Sequence, residues 1–476
     1  MRQQKNMLLF IFTILLLSSV IIPAAAGCKD IVITPMATAG DYSLFLKVRD
    51  PSRDGLQVLC RVPQGTQYVY HYPWTGRPWE FTVAHTFIGV ASQGDTLPNI
   101  VKPGMVFTDA GLVFGDADTG SHWINPTRNA WDDFDWMRYA YQTAENEEQA
   151  VSLLTTDAIG HLHATGVTEN LFVVGPTKAV VIEADAAHYT VKEIPDILIL
   201  SNYPKDLWRT QLLMTLPIAS SLNTTKEAWA QKGDVIHLKS ICGVKILSIN
   251  QSGINVKAVP AFAFRPYGLD QEVTIHRGER ATVGPYSVTL LDINGTAVRV
   301  SVCTSSYAWE QEVRAYIQPL SGHITLEHMM NWSRLHATDL DGLRAMCEDA
   351  YTDEAAMIYT IPREHADFLS SGWFAANHAC ASIYVPVHIC DSDFFDPYRT
   401  GEAAALSLEL LQRFGHGTLT PLCQNVETVF RVENEENELI AHDLMENGTD
   451  ITPFLTALDQ GMQEQAFLTE QLWLDI

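Results

Sequence analysis

The chain has 476 residues, 47% of them hydrophobic and 18% charged, enough apolar material for a large core and two or three domains, which excludes a disordered protein. Its 56 acidic against 31 basic side chains give a formal net charge of -25, which opposes binding to nucleic acid or to an anionic membrane surface. We read that acidity as a solvated surface.

Arg2 and Lys5 make a basic start, Met7 to Ile22 is apolar, and Ala24-Ala25-Ala26-Gly27 supplies the small residues that signal peptidases accept. The apolar run is about sixteen residues, short of the roughly twenty that span a bilayer, so residues 1–27 read as a cleaved export signal. The protein is expected outside the cytoplasm, secreted or associated with the cell surface. Glycosylation triplets at Asn223, Asn250, Asn294, Asn331 and Asn447 suit that location.

Cys28 follows at once and has two readings. It is a lipid attachment point, or it is a nucleophile that signal removal turns into the amino terminus. Ala25 rather than Leu three residues earlier weighs against the first reading. So does the direct run of "CKDIVIT" into β-branched residues without a polar tether. Gly40 and Asp41 form a turn, and the return strand "SLFLKVRD" brings Lys47, Arg49 and Asp50 back beside Cys28, since opposed Cβ atoms of antiparallel strands lie about 5 Å apart. For the two cations the plain alternative is a solvated strand end. The aromatic cluster from Tyr68 to Phe81 reads either as the lining of a substrate mouth or as a packed core loop.

A leading cysteine, a strand, a hairpin and then "KVRD" resembles the cysteine-type N-terminal nucleophile (Ntn) hydrolases, the group of choloylglycine hydrolase, penicillin V acylase, acyl-transferases and related dipeptidases. Further stretches similar to that family follow in its order: "VFTDAGLVFGDADTG", "NEEQAVSLL" as a short helix, the hairpin "NLFVVGPTKAVVIEAD", and "ILILSNYP" ending a strand at Asn202. The resemblance implies a four-layer αββα core in an α+β chain, with Cys28 as nucleophile, Lys47 at the first cation and Asp50 at the aspartate. It also implies Asn202 as oxyanion donor and Arg334 of "WSRLHA" as a later arginine. Val48 stands where the family commonly has Asn. Asn202 reads alternatively as the cap of a turn before Pro204.

The chemistry is self-contained. Once residue 27 is removed, Cys28 carries a thiol and an α-amine of pKa about 7.7–8.0, which acts as the base. Lys47 and Arg49 are expected to favour the thiolate, and Asp50 to orient the amine. No cofactor and no metal is required.

Short alternating runs from Gly233 to Ser305, bounded by Gly, Asn and Asp, read as an inserted β module, giving boundaries at 28–215, 216–310 and 311–476. A helix is expected from Thr325, its N-cap, through "DLDGLRAMCEDAY". "ACASIYVPVHICDS" reads as a strand pair, "GEAAALSLELLQRFGHG" as a helix ending at Gly415 or Gly417, and the last 26 or so residues as an amphipathic helix. With Cys28 free, an odd number of the 8 cysteines remains, and Cys242 with Cys303 is the simplest disulfide to propose. His378, Cys380, His388 and Cys390 offer zinc-type ligands against the competing reading of oxidised cysteines. Asp391, Asp393 and Asp396 read as a calcium site or as a polar turn, and His161 with His163 as a loop.

The expected function is an exported amidohydrolase acting through a thioester on a small amide or dipeptide. The reading from another class is a lipid-anchored or secreted protein with an inactive Ntn-like core, whose β insert contacts the cell envelope. No motif sets an oligomeric state.

Overall fold

A computed structural model describes residues 28–49, 55–94, 102–119, 127, 129–202, 205–207, 225–239, 242–259, 272–284, 286–340, 343, 345–347 and 354–475. The export signal, Asp50, Pro204 and the Asn223 triplet lie outside the described residues. The chain is mixed helix and strand, an α+β protein, and divides into two compact units: Gly27–Thr210 with Val313–Leu340 and Arg344–Ile476, and Gln211–Glu312 with Asp341–Leu343.

In the larger unit the β-branched and aromatic runs form β1 (Lys29–Ile33), β2 (Tyr42–Arg49), β3 (Gln57–Val62), β4 (Gln67–His71), β5 (Pro78–Thr82), β6 (Phe87–Ser92), β7 (Met105–Thr108) and β8 (Val113–Asp118). Two helices follow, α1 (Asp133–Tyr141) and α2 (Glu147–Ser152), and then β9 (Glu169–Val174), β10 (Ala179–Ala184), β11 (Tyr189–Glu193) and β12 (Ile197–Leu200). Asp132 caps α1 by accepting from the Asp135 N–H at 2.8 Å, and Asn146 caps α2 through the Gln149 N–H at 3.0 Å. The segment expected as one short helix continues past Ser152 as a π-helix, Leu153–His161, so His161 ends a helix rather than standing in a loop.

The smaller unit contains the strands β13 (Thr225–Gln231), β14 (Val235–Lys239), β15 (Cys242–Ile249), β16 (Gly253–Val259), β17 (Val273–His276), β18 (Arg280–Val283), β19 (Tyr286–Asn294) and β20 (Ala297–Thr304). They form two 4-stranded antiparallel sheets, β13-β20-β19-β18 and β14-β15-β16-β17. Val244, Ile246, Ile254 and Val256 of one sheet share a core with Val288, Val298, Val300 and Val302 of the other, the period-two pattern of strands with one buried face. Cys303 is a free thiol bonded to the side chains of Thr225 and Ser287, its neighbours on both flanking strands, so the expected Cys242–Cys303 disulfide is not formed.

The chain leaves this unit through α3 (Ser305–Ile317) and then builds α4 (Leu326–Ser333), β21 (Ala355–Pro362), α5 (Ala366–Leu369), β22 (Ser371–Ala375) and β23 (Val385–His388). It ends in α6 (Asp396–Thr400), α7 (Glu402–Phe414), α8 (His416–Glu446) and α9 (Thr452–Leu474). Two sheets of the larger unit, ordered β12-β1-β2-β21-β22-β23 and β11-β10-β9-β8-β7-β6-β3, face each other. Phe45 of β2 meets Phe172 of β9 with ring centroids 5.4 Å apart, and Phe107 of β7 meets Tyr359 of β21 at 5.3 Å. Such pairs contribute about 0.5–1.5 kcal/mol each beyond their buried area. Helices α1 and α2 cover the second sheet, where Trp136, Met137, Tyr141 and Leu154 are buried among Phe87, Phe114 and Val173.

Buried carboxylates tie the C-terminal helices to the first sheet. Glu427 of α8 accepts from the Tyr384 N–H at 2.8 Å, Glu470 of α9 from Ile383 at 2.8 Å, and Asp459 from His388 at 2.7 Å. The Ile383 and Tyr384 N–H groups are thereby withdrawn from strand pairing, and of the expected strand pair only Val385–His388 is a strand. The helix begun at Thr325 does carry the capping box with His328, but it stops at Ser333 instead of running on. Beyond it the Leu335 carbonyl accepts from both Met346 and Cys347, folding the chain back. Helix α7 ends at Gly415, whose φ of 72° suits glycine. Among the described residues no helix is long and apolar enough to cross a membrane.

Burial pushes the Glu470 carboxyl up to about 8, its Ile383 hydrogen bond opposing this and Glu427 adding to it. The native chain then holds a proton that the unfolded chain releases near 4.5, so this group's contribution to stability is whole at low pH and is lost as pH rises through about 8. Denaturant midpoints of the wild type should therefore fall between about pH 5 and pH 9, and Glu470→Gln should flatten that slope; an equal slope in both proteins would contradict the assignment.

Candidate active site

Strand β1 reads Lys-Asp-Ile-Val-Ile and is buried throughout, charges included. Alternation sends Asp30 to one face and Lys29 to the other. Antiparallel pairing with β2 sets Asp30 opposite Lys47 and Lys29 opposite Val48, and pairing with β12 sets Asp30 opposite Leu200. Carried on by one residue pair toward β2 and by two toward β12, the same registers bring Cys28 beside Arg49 on one flank and Asn202 on the other. Cys28, Asp30, Lys47 and Arg49 thus share the face that looks toward the second sheet.

Lys47 is the hub of that face. Its fully buried ammonium lies 3.0 Å from Asp116 Oδ1 on β8 and 3.7 Å from Asp30 Oδ1, and it donates to the Asp116 carbonyl. Desolvation alone would pull the ammonium down; Asp116 and Asp30, with the Cys28 sulfur, overcome it and hold it well above its ordinary value. Arg49 is also buried, donates to Gln57 Oε1 and lies 5.1 Å over the Phe134 ring. The expectation of a solvated strand end is therefore set aside for both cations.

The Ser201 hydroxyl donates to the Cys28 carbonyl at 2.7 Å, and Asn202 Nδ2 donates to the Asp118 carbonyl at 2.8 Å. These bonds fasten the start of β1 and hold Asn202 at the end of β12. Cys28 is half-buried and its thiol is free. Desolvation pushes the thiol up to about 12; Lys47 draws it down, while Asp116, Asp30 and Asp118 push it further. Burial above all, with these carboxylates adding to it, thus outweighs the pull of Lys47 toward the expected thiolate.

Sequence reasoning missed those carboxylates. Asp116, Asp118 and Glu169 bring oxygens within 4.8 Å of one another. Burial, reinforced by Asp118, Asp133 and Asp116, holds the Glu169 carboxyl well above its ordinary range, and it shares a hydrogen bond with Asp118. The signal was the alternation "DAD", which puts Asp116 and Asp118 on one face at a strand end. Lys47 already supplies this group's counter-charge, so the carboxylates read as a polar wall rather than a cation cradle.

Asp50 lies outside the described residues. Arg334 is buried elsewhere: it pairs with Glu427, donates through Nε to the Ala379 carbonyl at 2.7 Å and lies 5.2 Å over the Tyr384 ring. Those partners hold α4 to α8 and to the segment before β23, a structural task that leaves the guanidinium no role toward Cys28. The zinc-type set expected from His378, Cys380, His388 and Cys390 is not assembled either, since His388 is held by Asp459 at 2.8 Å and Glu438 at 3.2 Å. Asp393 and Asp396 pair with Arg399 in a polar turn. The aromatic cluster forms the β4–β5 hairpin, with Tyr70 buried against Trp131 at 5.1 Å and bonded through its hydroxyl to the Asp135 carbonyl.

Solved structures similar to this chain include the following three. Penicillin V acylase from Agrobacterium tumefaciens is 12% identical over 36% of this chain, with a TM-score of 0.28, and the chain spans about half, 51%, of that protein's length. Two variants of conjugated bile acid hydrolase from Clostridium perfringens are 10% and 9% identical over 76% and 77% of this chain and 92% and 90% of theirs, with TM-scores of 0.38 and 0.35. No family model and no curated protein matches the sequence.

Replacing Lys47 by Met leaves Asp30 and Asp116 buried without their cation. Such a break costs about 3–5 kcal/mol, which urea unfolding should register. Iodoacetamide should also modify Cys28 more slowly in Lys47→Met, because the group that draws the thiol down is gone; unchanged stability and reactivity would contradict the ion-pair account.

Proposed function

We propose that this protein is an exported cysteine Ntn hydrolase of four-layer αββα type that cleaves a small amide or dipeptide, with Cys28 as nucleophile. The observation that carries this is the register of β1, which groups Cys28 with Lys47, Arg49 and Asn202 at one end of two facing sheets. The order of layers, α1 and α2, sheet, sheet, then α7 to α9, agrees with such a core, and the unit of residues 211–312 agrees with an insertion into it.

The mechanism follows from the protonated thiol. Removal of residues 1–27 would create an α-amine on the carbon that bears the thiol's side chain, and this amine takes the thiol proton as sulfur attacks the amide carbon. The Asn202 amide has two N–H donors; one bonds the Asp118 carbonyl and the second serves the oxyanion. The ammonium then returns its proton to the departing amine, leaving a thioester. Water adds to the thioester with the amine again as base, and the acyl group leaves as a carboxylic acid. Before leader removal the nitrogen is an amide and the base is absent, so export and activation are one event.

N-terminal sequencing of the exported protein should begin at Cys28, and Cys28→Ser should fold yet lose amidase activity. Asn202→Ala should lower kcat by about 10²–10³-fold. A mature chain starting elsewhere, diacylglycerol on Cys28, or full turnover by Cys28→Ser rejects the proposal.

A further inference from the structure

The other face of β1 carries a second buried polar cluster. Lys29 Nζ lies 3.7 Å from Glu354 Oε2, both fully buried, and Glu354 Oε1 lies 3.2 Å from His378 Nδ1. That nitrogen is 3.7 Å from Cys347 Sγ, which in turn is 3.4 Å from Cys380 Sγ. Two groups of ligand atoms, His336 with Cys347 and Cys380, and Cys347 with Glu354 and His378, each lie within 4.8 Å of one another and share Cys347.

These separations have a meaning for a metal. With metal–sulfur bonds of about 2.3 Å and metal–nitrogen or metal–oxygen bonds of about 2.0–2.1 Å, a tetrahedron has edges of about 3.8 Å between two sulfurs, about 3.6 Å between sulfur and nitrogen, and about 3.3 Å between nitrogen and oxygen. The observed 3.4 Å between the two sulfurs falls within a few tenths of an ångström of the first of those edges. The two sulfurs are well beyond the 2.05 Å or so of a disulfide.

The cluster is also held in place by its backbone. The Leu335 carbonyl accepts from the N–H groups of Met346 and Cys347, which fixes Cys347 beside His336. The His378 carbonyl accepts from Ala381 and Ser382, and the Cys380 carbonyl accepts from Thr420 Oγ1 at 2.8 Å. The His336 ring stacks on His416 with centroids 3.9 Å apart. Side chains from three separate stretches of chain are thus presented to one buried point, as a structural metal site requires.

We infer that Cys347, Cys380 and His336 bind a zinc ion that pins the loop after α4 to the turn after β22, with His378, held by Glu354, beside it. The role is structural. Glu354 sits in the outer shell, where it links His378 to Lys29, the residue next to Cys28, so the ion would brace the back of β1. Sequence spacing suggested H-x-C twice over; the fold keeps Cys380 of the first pair and joins it to His336 and Cys347.

The test is metal content of the full exported chain, purified without chelator. About one equivalent of zinc should accompany each chain, and Cys347→Ala and His336→Ala should reduce zinc affinity at least about tenfold. Cys28→Ala and Cys390→Ala should keep the metal, so the result is read independently of amidase activity. If Cys347→Ala does not fold, cobalt replacement in the wild type decides: a thiolate-to-cobalt charge-transfer band supports the site, and its absence overturns it. Metal-free folded wild type overturns it as well, as does a Cys347–Cys380 disulfide found by peptide mapping.

Discussion

The buried ammonium of Lys47 is the constraint on which the larger unit turns. A desolvated cation is tolerated only where carboxylates meet it, and here they arrive from two directions: Asp30 from the neighbouring strand and Asp116 from the opposite sheet. The pairing therefore sets how the two sheets face each other at one end. Two residues earlier on the same face, Phe45 packs on Phe172 and makes the adjoining part of the interface apolar. Contact thus passes from ring stacking to ion pairing over a single step of strand alternation, and Cys28 lies at the charged end.

Burial and the same charges together decide the state of the Cys28 thiol. A cation beside a thiol suggests a thiolate, yet Lys47 is neutralised by Asp116 and Asp30, and the sulfur feels these carboxylates as well as the ammonium. The thiol stays protonated, which suits a mechanism in which the base is supplied by the same residue only after processing. The cation ties the two sheets together at this end; in the proposed mechanism the proton chemistry belongs to the α-amine.

Strand β1 is charged on both faces, and both faces are buried, so two sets of partners are needed. On the inner side they are Lys47 and Asp116; on the outer side Glu354 meets Lys29. The C-terminal helices use the same device, with Glu427, Glu470 and Asp459 reaching backbone N–H groups of residues 383–388. Ile383 and Tyr384, which give their donors to these helices, lie just before the strand that starts at Val385.

What was legible in the sequence was local. Alternation in "CKDIVIT" and "SLFLKVRD" with a turn between them puts Cys28 beside Lys47 and Arg49; "ILILSN" places Asn202 at a strand end; Thr325 and Gly415 mark where helices start and stop. Period and cap depend on neighbours a few residues away, so they can be read from the chain. The counter-charges could not be: Asp116 lies 69 residues from Lys47, and Glu427 lies 93 from Arg334. Local pattern says which face of an element is buried, and only the packing of one layer on another says against what. Tertiary structure accordingly kept the thiol protonated and turned Arg334 into a brace, because a buried charge takes its partner from whatever distant element comes to lie across from it.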